Sequence, residues 1–332
     1  MEIQPQYLNL KSFRLESGEV LQDLKIEYAT FGRKVTDKAG NLTNGVLYLH
    51  GWSGSYSSVG NLDAVIGPGK AVDTNRFFII SPTALGSSGS ASPCTTELGP
   101  AFPFYTVRDM VNFHMKLLES LGIKHLKGVI GTSMGGFQAL QWATDYPDFM
   151  DFLIPIATGL KSGRQMNGAY GLMSRIIQED PAYQGGNYDD NPIGALERGS
   201  TIGFLWSMTP EYFEQEFETD EDFWEAMDER NQEVAALDAN DIIWRNQAML
   251  NFNMEVDISD GNSSRIRAKT LVIGIEDDQI FPPSISTIPL AESIEDAEIF
   301  LYPSIFGHYG CVRDLEQAAD AILSFLESNK MY

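Results

Sequence analysis

The sequence predicts an α/β protein in which a mostly parallel central sheet, flanked by helices, is interrupted by an inserted helical segment. Near-continuous apolar runs, typical of strands buried on both faces, alternate with amphipathic helical patterns. This alternation stops near residue 158 and resumes near residue 266. With 332 residues, 43% of them hydrophobic, the chain is long enough to bury such a core.

The order of these patterns along the chain predicts each element of the core. SFRLESG and LKIEYATFG near the N-terminus predict an antiparallel ribbon. A helix is predicted over 106–122, because Thr106 and Asp109 form a start signal and Gly122 a stop signal. The last amphipathic helix is LEQAADAILSFLES. Buried strands are predicted at 45–51, 77–82, 126–131, 152–157, 270–275 and 297–303.

Residues 159–265 are predicted to form a helical lid inserted into a core made of residues 1–158 and 266–332. Helices are expected around 195–208, 210–230 and 239–252. The second of these is strongly acidic, but its aromatic residues recur at roughly helical spacing. We therefore expect a solvated acidic face over an apolar one.

A serine lies between two glycines where a strand is predicted to meet a helix, in Gly131-Thr132-Ser133-Met134-Gly135. This pattern matches the G-x-S-x-G nucleophile elbow of the α/β-hydrolase fold, in which a sharp turn exposes the serine hydroxyl. The glycines indicate a positive-φ serine with no room for neighbouring Cβ atoms. The sequence thus predicts that Ser133 is a nucleophile in an α/β-hydrolase fold.

A serine hydroxyl needs an imidazole to take its proton and a carboxylate to orient that imidazole. In this fold the chain order is serine, acid, histidine, and of the four histidines only His308 follows Ser133. The acid is expected on the loop after the penultimate strand, which carries Glu276, Asp277 and Asp278. The pattern of residues alone does not choose among these three.

The tetrahedral intermediate of acyl transfer carries an oxyanion, which backbone N–H groups stabilise in this fold. Met134 supplies one such N–H, and Trp52, in the glycine-rich loop LHGWSGS, is expected to supply the other. The sequence contains no dinucleotide fingerprint, P-loop or H-x-x-x-H pair. We therefore predict chemistry without a bound cofactor or metal.

Charge and cysteine content restrict the partners and the compartment. A net charge of −23 opposes binding to nucleic acid and to anionic membranes. Two cysteines form no disulfide framework, which fits a reducing compartment. The N-terminus lacks the features of a signal peptide, and no apolar run is long enough to span a bilayer. These observations predict a cytoplasmic protein.

Several longer segments are similar to the homoserine O-acetyltransferase family of α/β-hydrolase enzymes, which includes esterases. They are RFFIISPTALGSSGSASP, GPAFPFYTVRDMV, GTSMGGFQALQWATDYP, DANDIIWRNQAML, IEDDQIFPP and FGHYG. The resemblance covers nearly the whole chain. It implies that Asp278, three residues before F-P-P, is the acid and that His308 is the base. It also implies a homodimer, and an acyl group that Ser133 accepts and passes to a second substrate.

The chain departs from this family at the positions that hold homoserine. The resemblance places Ser200 where the family has an arginine, with Arg198 two residues away. Ser207 replaces a tyrosine, and Tyr309 replaces the aspartate after the catalytic histidine. A site that binds a zwitterion loses several kcal/mol of binding free energy when it lacks such charged partners. We therefore predict hydrolysis of a small acyl, acetyl-type ester, with a small-molecule ester as the partner.

Two alternatives stay open on the sequence. One is an O-acyltransferase that moves an acetyl group from acetyl-CoA, as co-substrate, to another alcohol. The chain's negative field disfavours this polyanionic donor unless a basic patch including Arg108 or Arg198 attracts it. The other is a non-catalytic binding protein that keeps the fold, although every residue type of a triad is present in order.

Overall fold

A computed structural model describes residues 3–255 and 265–332 of the chain. The strands of this part are Gln6–Arg14 (β1), Val20–Gly32 (β2), Gly45–Leu49 (β3), Ile66–Gly67 (β4), Val72–Asp73 (β5), Phe78–Pro82 (β6), Leu126–Thr132 (β7), Met150–Ile156 (β8), Lys269–Ile275 (β9) and Glu298–Tyr302 (β10). Eight of these described strands form one sheet in the order β1-β2-β6-β3-β7-β8-β9-β10, and β4 pairs with β5.

The sheet is antiparallel at one edge and parallel over the rest. β1 pairs with β2, and β2 with β6, in antiparallel register. From β6 to β10 every pair is parallel. β3 is buried along its whole length, as expected of a strand covered on both faces. The predicted ribbon and the predicted mostly parallel sheet are both confirmed.

The α-helices of the described residues are Val107–Ser120 (α1), Met134–Asp145 (α2), Arg164–Glu179 (α3), Ile193–Ser207 (α4), Pro210–Glu216 (α5), Asp220–Ala235 (α6), Ala239–Leu250 (α7), Thr287–Glu292 (α8), Gly310–Arg313 (α9) and Ala319–Ser328 (α10). α1 begins with the predicted signal, since the Thr106 hydroxyl and the Asp109 carboxylate each accept the other residue's N–H in a capping box. None of the described helices is long and apolar enough to cross a membrane.

The segment between β8 and β9, predicted as the lid, contains helices α3 to α7 within its described part. The boundaries of this lid stay a prediction, and its residues 256–264 lie outside the described residues. The structure adds α3, which the sequence did not predict. It also divides the predicted helix at 210–230 into α5 and α6, because Thr219 starts a second helix by accepting the N–H of Asp222.

The acidic segment has the apolar face that its spacing predicted. Tyr212 and Met227 are buried in a small cluster that also includes Phe204 of α4. Tyr309, the residue after His308, packs against this cluster. Trp224 differs from the expectation, since it is 59% exposed.

Candidate active site

Ser133 lies at the junction of β7 and α2 in a strained turn. Its φ is 54° and its ψ is −116°, a backbone conformation that residues other than glycine rarely adopt. A Cβ on Gly131 would lie 2.0 Å from the carbonyl oxygen of Gly135, and a Cβ on Gly135 would lie 2.0 Å from that of Leu49. The turn therefore requires glycine on both sides of the serine.

Ser133, His308 and Asp278 form one hydrogen-bonded chain. The Ser133 hydroxyl lies 2.8 Å from Nε2 of His308, and Nδ1 of His308 lies 2.8 Å from the Asp278 carboxylate. The other oxygen of Asp278 accepts the N–H groups of Ile280 and Phe281 at 2.8 and 2.9 Å. A carboxylate can only accept, so Nδ1 of His308 donates and Nε2 is free to accept from the serine. This arrangement suits general-base activation of the hydroxyl.

The loop after β9 separates the three acids that the sequence left open. Asp278 is 2% exposed and reaches His308. Asp277 is exposed, and its carboxylate accepts the N–H of Ser304 at 3.1 Å. Glu276 is also exposed. Of these acids, the structure brings only Asp278 to the histidine.

The loop after β3 passes beside the serine. A Cβ placed on Gly51 would lie 3.7 Å from the Cβ of Ser133. Trp52 follows Gly51, and Met134 provides the first N–H of α2. Within residues 3–255 and 265–332, the N–H groups of Trp52 and Met134 have no hydrogen-bond acceptor. Their role as oxyanion donors stays a prediction that this location favours.

The side chain of Trp52 is held by the helical segment, a contact that sequence reasoning missed. Its indole N–H donates to the side-chain oxygen of Asn246 at 2.6 Å. The guanidinium of Arg245 lies 5.0 Å over the indole, and the Tyr170 ring lies 5.7 Å away. Asn246 is fully buried and donates in turn to the Tyr170 carbonyl and the Ser174 hydroxyl. α7 and α3 thus fix the indole together.

His50 holds the same loop through a hydrogen bond to the carbonyl of Gly51. Its Nε2 accepts the N–H of Ala84 at 2.9 Å, so its Nδ1 carries the proton and donates to the carbonyl of Gly51 at 2.7 Å. Burial, with a smaller contribution from the charge of Arg245, lowers the pKa of His50 to about 4. His50 is therefore neutral at pH 7 and can keep both hydrogen bonds.

A cavity of about 160 Å³ opens beside Ser133 and His308. Its wall includes Trp52, Tyr170 and Tyr309. Among the described residues, no lysine, arginine, aspartate or glutamate lines it. Since pockets for drug-sized ligands measure about 300–1,000 Å³, this one is suited to a small uncharged group.

The four residues predicted to contact substrate divide into two pairs. Ser207 and Tyr309 line the cavity, and the Ser207 hydroxyl donates to a carbonyl of its own helix at 2.7 Å. Ser200 is buried away from the cavity, where its hydroxyl donates to a side-chain oxygen of Asn231. Arg198 is 60% exposed and pairs with Asp180 at 2.5 Å. The structure therefore does not bring Ser200 or Arg198 to the cavity.

Comparison with known proteins agrees with this architecture. The family model described as "alpha/beta hydrolase fold" matches residues 44–309. A "Probable acyltransferase" of Methanothermobacter thermautotrophicus is 42% identical over 98% of both chains. A homoserine O-acetyltransferase of Methanohalobium evestigatum is 34% identical over 89% of this chain and 67% of its own. The solved structure of the acetyl esterase MekB, 26% identical, superposes with a TM-score of 0.86 over 98% of this chain and 97% of that chain.

The matched region contains both the elbow and the histidine that it contacts. By their names, these proteins are two acyltransferases and an esterase, and they match 89% or more of this chain. The protein is therefore an enzyme that belongs to the α/β-hydrolase fold family, similar to homoserine O-acetyltransferases and to esterases.

Proposed function

We propose that the enzyme hydrolyses small acyl esters of the acetyl type through an acyl-enzyme on Ser133. The observation that carries this proposal is the lack of permanent charge among the described residues that line the cavity beside Ser133 and His308. An amino-acid acceptor such as homoserine carries two charges, and a site without charged partners leaves both of them uncompensated. Water needs no such partners and can take the acyl group from the same intermediate.

In the acylation step, Ser133 Oγ attacks the ester carbonyl carbon while Nε2 of His308 takes the hydroxyl proton. The Asp278 carboxylate stabilises the imidazolium that forms. The carbonyl π electrons move to oxygen, and the N–H groups of Met134 and Trp52 stabilise the resulting oxyanion. Collapse of this intermediate breaks the ester C–O bond. The alcohol then leaves with the proton that His308 returns to it.

In the second step, water attacks the acyl carbon and His308 takes the water proton. The C–O bond to Ser133 breaks, Ser133 recovers a proton from His308, and the carboxylic acid leaves. The small cavity, about 160 Å³, favours a short acyl group and a small alcohol. This scheme needs no group other than the chain's own residues, ester and water.

One observation favours a second candidate, an O-acyltransferase. The relative that is 42% identical over 98% of both chains has the name "Probable acyltransferase". In that reaction acetyl-CoA is the donor, Ser133 is acylated in the same way, and an alcohol other than homoserine replaces water. The two candidates differ only in the second nucleophile.

The test compares the two acceptors on the purified enzyme. We expect p-nitrophenyl acetate to be hydrolysed, acetylated Ser133 to be trapped by rapid acid quench and mass spectrometry, and Ser133→Ala to abolish both signals. Acetyl-CoA is then supplied with homoserine and with a panel of neutral alcohols. Release of CoA that depends on one alcohol and exceeds ester hydrolysis would favour the transferase. Absence of any acylated Ser133 would refute both candidates.

A further inference from the structure

Tyr170 lines the cavity that holds Ser133 and carries a hydroxyl group. The residue lies on α3 and is 8% exposed, and its ring packs against Trp52. Its backbone carbonyl accepts hydrogen bonds from the side chains of Asn246 and Ser174. In the part of the chain that the structure describes, nothing hydrogen-bonds to the Tyr170 hydroxyl. A hydroxyl on the cavity wall with no protein partner is free to pair with a bound molecule.

Tyr170 shares the wall of the cavity with His308 and Tyr309. Burial, followed by nearby Tyr309 and Asp278, raises the pKa of Tyr170, and the charge of Arg230 opposes this rise. The hydroxyl is therefore protonated at pH 7 and can donate. Tyr309 directly follows His308, and Asp278 is the partner of His308. Since His308 protonates the departing alcohol in the proposed reaction, the alcohol portion of the ester lies in the cavity that Tyr170 and His308 both line.

The chemistry of this wall selects the group that it can bind. Tyr170, Tyr309 and Ser207 bring hydroxyl groups to it, and the lining includes no permanent charge among the described residues. A neutral oxygen accepts a hydrogen bond from a phenol without the desolvation cost of a charge. An alkyl chain would cover the hydroxyl of Tyr170 and leave it unpaired.

We propose that Tyr170 determines specificity by donating a hydrogen bond to a neutral hydroxyl oxygen in the alcohol portion of the ester. The preferred substrates are then acetate esters of small alcohols that carry a second hydroxyl group. This inference rests on the proposed ester hydrolysis, since it concerns the same site. It adds a substrate class and a residue that sequence reasoning did not identify.

The experiment compares two esters of nearly equal shape, 2-hydroxyethyl acetate and n-propyl acetate, by acetate release. We expect the wild-type enzyme to prefer the first in kcat/KM. Tyr170→Phe removes one hydroxyl and should lower kcat/KM for 2-hydroxyethyl acetate by about tenfold, as for a lost hydrogen bond. The value for n-propyl acetate should not fall and should rise if its alkyl chain covers the hydroxyl, because the variant has no unpaired group there.

Tyr146→Phe is the matched control. The Tyr146 hydroxyl donates to Asn112 at 2.8 Å, away from the cavity, so its removal should leave both esters unaffected. Inhibition of the wild-type enzyme by ethylene glycol and by 1-propanol gives the same comparison without any substitution. We expect ethylene glycol to be the stronger inhibitor.

The outcomes separate this inference from the proposed function. Equal cleavage of both esters, with no change of their ratio in Tyr170→Phe, would overturn the role of Tyr170 and leave ester hydrolysis standing. An equal loss for both esters would also overturn it, because the hydroxyl would then serve a step common to all substrates. If the wild-type enzyme cleaves neither these esters nor p-nitrophenyl acetate, both proposals fail.

Discussion

Acid should destabilise this enzyme through His50, which must stay neutral to hold the loop beside Ser133. In the folded protein its Nε2 accepts the N–H of Ala84. If Nε2 were protonated, its N–H would face the N–H of Ala84, and neither group could accept a hydrogen bond. The unfolded chain has no such restriction, so lowering the pH favours the unfolded chain.

The size of the effect follows from the two pKa values. The pKa of His50 is about 4 in the folded protein, lowered by burial from an ordinary value of 6.5. Because the folded value is the lower one, the stabilising contribution is present above pH 6.5 and is lost as the pH falls toward 4. Linkage gives a loss of about 2 kcal/mol in the free energy of unfolding between pH 7 and pH 5.

The assay is urea unfolding at pH 7 and pH 5, for the wild-type protein and for His50→Asn. Asparagine can donate to the Gly51 carbonyl in place of Nδ1 but does not titrate. The variant should be less stable at pH 7, because Ala84 loses its acceptor, yet it should lose about 2 kcal/mol less than the wild type on acidification. Other titrating groups are common to both proteins; burial is the main cause of the lowered pKa of His114, and the charge of His50 adds to it, so His114 changes only by that smaller part. An equal loss in both would refute the argument that His50 is buried and neutral.

Three further predictions test the site. Asp278→Asn should lower kcat by about 10⁴-fold, because the amide no longer holds His308 in the required tautomer; Asp277→Asn should change kcat little, and the reverse result would reassign the acid. Gly135→Ala should lower the free energy of unfolding by at least about 3 kcal/mol in urea unfolding, since its Cβ meets a backbone oxygen; a wild-type value would contradict the tight turn. Asn246→Leu should lower kcat more than it raises KM for p-nitrophenyl acetate, because Trp52 loses its anchor; a change in KM alone would mean that Asn246 affects only binding.

Much of the core could be predicted from the sequence because its signals are local. Apolar runs identify strands buried on both faces, and the glycines around Ser133 identify the turn. His308 followed from chain order alone. The choice of Asp278 needed the family resemblance, because only the fold shows that Asp277 bonds to Ser304 instead.

The helical segment was harder to predict for a physical reason. α3 contains Gly168 and Gly171, which lower helix propensity, so its formation depends on tertiary packing that the pattern does not reveal. Neither the Trp52–Asn246 bond, between residues 194 positions apart, nor the unpaired hydroxyl of Tyr170 has a local signal. The predicted homodimer stays a prediction.

The bond between Trp52 and Asn246 has a consequence for how such an enzyme can diverge. It ties α7 to the very loop that is expected to stabilise the oxyanion. A mutation that shifts α7 to admit a bulkier alcohol would therefore also disturb turnover, and selection would remove it. α3 shares this tie, because Asn246 donates to the Tyr170 carbonyl and to the Ser174 hydroxyl. α4 lines the cavity through Ser207, whose hydroxyl bonds within its own helix. We expect new specificities to arise by drift in α4, while α7 and α3 change slowly.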